Sequence, residues 1–218
     1  MDGGFPIDLI LFGMIAAFLV LRLRSILGRR QGFERPNLRN AAAARLMTGR
    51  VVDAVAEPVV AGRALPEASS SAGQVFARMQ MVDRGFSAQR FLDGAEAAFR
   101  MIVSAFAAGD RVTLRPLLSD EMYQAFEGAI TAREAAGETQ RTEIRSVQSA
   151  TVAHALLIGR VGDVTVRFVS DQISLTSARD GTPITGTDAV TEISDDWTFQ
   201  RDLGLPDPAW RLVAARSA

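Results

Sequence analysis

Cysteine is absent from the 218-residue chain, and so is lysine. Without cysteine there can be no disulfide, no thiolate nucleophile and no cysteine-held metal. Without lysine there can be no G-x-x-x-x-G-K phosphate loop. A single histidine, His154, leaves no histidine cluster for a metal, and no cofactor is expected. All 24 cations are therefore arginine, whose guanidinium suits bidentate contacts with carboxylate and phosphate. Apolar residues are plentiful: at 48% they suffice for the core of one ordinary domain with an accessory segment beside it.

The net charge of −1 hides a segregation along the chain. Residues 1–21 carry only Asp2 and Asp8, residues 22–63 carry nine Arg against three acids, and the remainder is net acidic. A basic stretch beside an apolar run suits anionic lipid better than nucleic acid. The apolar run comprises Ile7, Leu9, Ile10, Leu11, Phe12, Ile15, Phe18, Leu19, Val20, Leu21 and Leu23, interrupted only by Asp8 and Arg22 as charged groups. Residues 7–23 would span about 25 Å as a helix at ~1.5 Å per residue, near the lower limit for crossing a bilayer. An acidic N-terminus and an apolar core running straight into arginines do not fit a cleaved export signal. An uncleaved single-pass anchor is the expectation over residues 1–30, with Arg22, Arg24, Arg29 and Arg30 at the anionic headgroups. The positive-inside rule then puts the N-terminus in the periplasm and the rest of the chain in the cytoplasm, at the cell inner membrane.

Residues 31–73 hold Pro36, Pro58, Pro66, an alanine run and a serine run, and read as a flexible linker with a reach on the order of 35 Å. The stretch 74–87 reads as a short helix with Val75, Phe76, Met79 and Val82 on one side, ending at Gly85. Ser87 caps a longer helix whose apolar stripe runs from Phe91 and Leu92 through Ala95, Phe99, Ile102 and Val103 to Phe106, and Gly109 stops it. After a short LRPLLSD connection, Ser119 caps a further helix carrying Tyr123, Phe126 and Ile130, stopped by Gly137. The period then turns alternating: strands are expected over 142–158, 164–175, 191–201 and 210–216, with turns at GRVGD and at Asp180 and Gly181. Helices followed by a four-stranded antiparallel meander predict an α+β fold with the helices on one face.

This order, ending in DDWTFQRD and PAWRLVAAR, resembles the NTF2-like, cystatin-like fold. FLDGAEAAFRMIVSAFAAGD, LRPLLSDEMYQAF and VTVRFVSDQIS are similar to the C-terminal domain of the forty-four kilodalton subunit of the mitochondrial inner-membrane translocase, and most of all to its bacterial membrane-anchored relatives. The resemblance covers residues 74–218. It implies a non-enzymatic adaptor at the inner membrane that helps organise chaperone, translocation or membrane-protein biogenesis machinery, and a domain that contacts lipid and client protein. It also leaves room for a ribosome contact, while the acidic domain argues against nucleic-acid binding by the domain itself.

Because NTF2-like folds also serve as enzymes and small-molecule carriers, that function is the alternative. His154 alternates with Val152, Leu156 and Ile158 and is expected on the core face. Adjacent Asp195 and Asp196 point to opposite faces of a strand, so they cannot form a carboxylate pair with each other, and are expected to be solvated or near a turn. No catalytic set assembles. Phe91, Phe99, Phe106, Tyr123, Phe126 and Trp197 are the candidates to line an apolar pocket between helices and sheet, with core packing as the simpler account.

Overall fold

In the computed structural model, which describes residues 62–218, a side-chain oxygen opens every helix. Ser70 accepts from Gly73 N (3.0 Å) at the start of α1 (Ser71–Val82), and Ser87 from Arg90 N (3.4 Å) at the start of α2 (Ala88–Ala108). Asp110 accepts from Thr113 N (3.0 Å) for α3 (Arg111–Leu117), and Ser119 from Met122 N (3.2 Å) for α4 (Asp120–Ala136). Each satisfies an N–H that has no partner inside its helix. Gly109 (φ 72°) and Gly137 (φ 71°) end α2 and α4 in the left-handed region, where a Cβ would be strained. Arg133 of α4 donates to the last-turn carbonyls of α2, Phe106 O (2.8 Å) and Ala107 O (3.2 Å), and stacks on the Phe106 ring at 5.2 Å. A cation thus sits at the negative end of α2. Burial lowers its pKa, yet a guanidinium stays charged.

Four long antiparallel strands follow the helices as expected: β2 (Thr139–Ile158), β3 (Val161–Ser177), β4 (Pro183–Asp202) and β5 (Arg211–Ser217). A fifth, short strand, β1 (Gly62–Ala64), pairs parallel with residues 149–151 of β2, so the sheet order is β1 to β5 in sequence. β1 and the start of α1 both lie inside the stretch read as linker. Three residues are too few to show a period, and α1 begins at Ser71 because Ser70 caps it. The α1 helix also ends earlier than expected, at Val82, where Asp83 turns extended and its carboxylate accepts from Gly85 N (2.8 Å).

The expected anchor at residues 7–23, the arginines Arg22, Arg24, Arg29 and Arg30, and the linker up to residue 61 lie outside the described residues. Among the described residues, no helix is long and apolar enough to cross a membrane.

The core lies between α1, α2 and the helix-facing side of the sheet. Phe99 stacks on Phe168 (ring centroids 4.5 Å apart, 11° between planes) and meets Trp197 edge-on at 4.8 Å. Phe91 meets Trp210 at 4.7 Å and Phe199 at 6.3 Å, while Phe76 joins Phe86 and Phe91. These edge-on and offset contacts match the ring quadrupoles and add to the apolar area removed from water.

The register of β2 departs from simple alternation. Arg145, Gln148 and Ala153 are each skipped in its pairing with β3, a bulge at every one. The helix-facing positions therefore run Ile144, Val147, Ala150, Val152, Ala155, Leu157, opposite an unbroken even-numbered row in β3 from Gln172 to Gly162. This corrects His154: the bulge at Ala153 turns it, with Leu156 and Ile158, to the outer face, where it is exposed. Bulges also blunt strand edges against unwanted pairing. The free edge of β4 is interrupted in the same way, where Gly186 (φ 85°) precedes a break in pairing between Thr187 and Thr191.

Candidate functional site

Adjacent Asp195 and Asp196 do point to opposite faces, but neither is solvated: their exposures are 7% and 3%. Asp195 pairs in register with Phe168 and lies two residues from Trp197, which puts it on the helix-facing side. Asp196 faces outward, where the register brings Arg167 and Arg216 to either side. Arg167 grips it with two bonds, Nε to Oδ1 at 2.8 Å and Nη2 to Oδ2 at 3.0 Å, and Arg216 adds Nη2 to Oδ2 at 3.1 Å. The Arg167 hydrogen bonds are the main reason the Asp196 carboxyl is held below its usual pKa; burial opposes them and Arg216 assists. Every lone pair facing a guanidinium is used, so this cluster ties β3, β4 and β5 together.

The six aromatics proposed for a pocket fall into three places. Phe91, Phe99 and Trp197 are packed in the core. Phe106 and Phe126 meet edge-on at 4.9 Å between α2 and α4, both partly buried. Tyr123 lies elsewhere, on the wall of an open groove between α3, α4 and the start of β5.

That groove encloses about 600 Å³. Its floor is Arg111, clamped by Glu134 through paired bonds (Nη1 to Oε1 3.0 Å, Nη2 to Oε2 2.8 Å) and by Thr131 Oγ1 (3.1 Å). The same bonds raise the Arg111 pKa and lower that of Glu134. Arg115 donates to Asp120 (2.6 Å) and rests over the Tyr123 ring at 4.8 Å. Arg211 closes one side, paired with Asp207 at 3.5 Å. Val112, 85% exposed, and Pro116 give the groove an apolar edge. A smaller recess of about 380 Å³ continues over Gln124 and Glu127. The sequence alone reads this stretch as a connection; Pro116, sixth of the seven residues of α3, removes the bond its N–H would have made to the Val112 carbonyl, and the helix stops one residue later at Leu117. Arg211 joins from the far end of the chain, so only the fold brings the groove together.

Among the described residues no group of three or more acids or histidines is placed to hold a metal.

A family model described as Tim44-like domain matches residues 72–217. No curated protein matches the chain. Among solved structures, the intermembrane-space region of the chloroplast protein ARC6 aligns at 9% identity and a TM-score of 0.42, covering 58% of this chain and 95% of that one. A conserved protein from Planctomyces limnophilus DSM 3776 aligns at 14% identity and 0.35, covering 60% and 94%. An NTF2-like family protein from Streptomyces avermitilis aligns at 15% identity and 0.33, covering 61% and 99%.

Proposed function

From the premise that the chain belongs to the Tim44-like domain family, we propose that it is an adaptor of membrane-associated machinery, held at the inner membrane by residues 1–30 and binding protein partners through its domain. The observation that carries this reading is the family match over residues 72–217, which takes in the described helices from the second residue of α1 onward and the four long strands. The partners in view belong to translocation, chaperone or membrane-protein biogenesis machinery, with the basic residues after the apolar run resting on anionic lipid. Arginines near such a surface each add about 1 kcal/mol of attraction. The groove supports the adaptor reading because its exposed arginines and tyrosine are the residue types that concentrate binding energy at protein interfaces.

Alkali-washed membranes test the anchor: they retain the full-length chain and release one that lacks residues 1–30. A periplasm-dependent reporter fused after Ala218 is expected to stay silent, and activity there would overturn the cytoplasmic placement. The adaptor role is tested by whether a translocase, chaperone or membrane-protein client crosslinks to the full chain and not to residues 1–73 alone.

A further inference from the structure

We propose that the groove between α3, α4 and β5 binds an extended peptide segment of mixed charge, one acidic and one basic side chain flanking an apolar one. The inference rests on the adaptor reading and names the chemistry of its partner.

Two kinds of ion pair meet in the groove. Arg111 is a fixed floor, its two bonds to Glu134 backed by Thr131 and by Glu127 at 3.9 Å. Arg115 and Arg211 are held differently: each makes a single contact with its acid, and their own side chains are 53% and 52% exposed against 30% for Arg111. Such exposed pairs hold little net energy and open readily. Opening one frees a guanidinium and a carboxylate together, so a partner offering both signs makes two new pairs for each one lost. Charge balance therefore favours a mixed-charge segment over an anionic bilayer, which would meet Asp120, Glu127 and Asp207 as repelling groups.

The remaining features suit a chain. Val112 is the most exposed large hydrophobic residue among those described, and with Pro116 it gives an apolar side chain something to cover. The Tyr123 ring beneath Arg115 holds that guanidinium in one orientation before a ligand arrives, which reduces the entropy lost on binding. The bulges in β2 and the interruption in β4 disfavour strand addition along those parts of the sheet edge, and on β5 the start of α4 already takes the Leu212 carbonyl, which leaves side-chain recognition as the mode the groove offers.

Tyr123 is the single tyrosine of the chain, so fluorotyrosine labelling places one fluorine resonance in the groove. The full-length protein in neutral detergent is titrated with acetyl-Ala-Asp-Leu-Arg-Ala-amide and with a control peptide carrying serine in place of Asp and Arg. The expected result is a saturable shift with the first peptide only, at least tenfold weaker in Arg115→Ala and in Arg211→Ala. Both side chains are about half exposed, and each variant is expected to keep its thermal midpoint within a few degrees. No shift, or equal shifts from both peptides, would overturn the proposal. A shift on doping the micelles with phosphatidylglycerol, without response to peptide, would overturn it in favour of a lipid headgroup. If partner crosslinking is unchanged in Arg115→Ala and Arg211→Ala, the groove assignment fails while the adaptor reading stands.

Discussion

Replacing Asp196 with asparagine isolates the charge at the centre of the Arg167–Asp196–Arg216 cluster while keeping its shape. The carboxylate is 3% exposed and accepts three bonds from two guanidinium groups. The amide oxygen can take the Oδ2 position and accept from both guanidinium groups, but its NH₂ then faces the Nε–H of Arg167, so the Oδ1 bond is lost and the two that remain lose the carboxylate charge. A hydrogen bond to a charged group contributes about 1.5–3 kcal/mol net. The side chains of Arg167 (47% exposed) and Arg216 (71%) recover water when released, which limits the cost. Asp196→Asn should therefore destabilise the domain by about 2–3 kcal/mol at neutral pH. The folded pKa of Asp196 is depressed, chiefly by Arg167, whereas the unfolded carboxyl titrates near 3.8. Its contribution is therefore complete above that value and fades as the pH falls through the folded pKa. Urea unfolding of both proteins, from pH 7 down to pH 2.5, should show their stability difference shrinking only below about pH 4. A difference that stays constant to the lowest pH, or is absent at pH 7, would refute the assignment.

Phe99→Ala removes a fully buried ring that both Phe168 and Trp197 contact, and should cost about 3–5 kcal/mol in denaturant unfolding. Gly73→Ala would set a Cβ 2.1 Å from the backbone oxygen of Glu67, so the 65–70 loop must move off α1; differential scanning calorimetry should show a loss of about 1–3 kcal/mol. His154→Ala, on the exposed outer face, should stay within about 0.5 kcal/mol of the parent; a larger loss would return His154 to the core.

What the sequence made legible follows from local chemistry. Ser87, Ser119, Gly109 and Gly137 sit where caps must, and they bound α2 and α4 as expected. The alternating runs likewise located four strands. Long-range geometry was less accessible. Three bulges in β2 reverse its alternation, so a parity rule applied from Val152 placed His154 on the wrong face. Asp196 looked like a solvated acid because Arg167 and Arg216, its neighbours across the sheet, are remote in sequence. The groove was missed for the same reason: Arg111 and Glu134 lie 23 residues apart, and Arg211 arrives only with the last strand. The Ser119 N bond to Leu212 O (2.9 Å) holds that strand against the start of α4.

The adaptor role is tested most directly by crosslinking the full-length protein in living cells, solubilising membranes, and identifying attached proteins by mass spectrometry against a control of residues 1–73. The account predicts enrichment of a translocase, chaperone or membrane-protein client that depends on the domain. Identical profiles from the full chain and the control would contradict it.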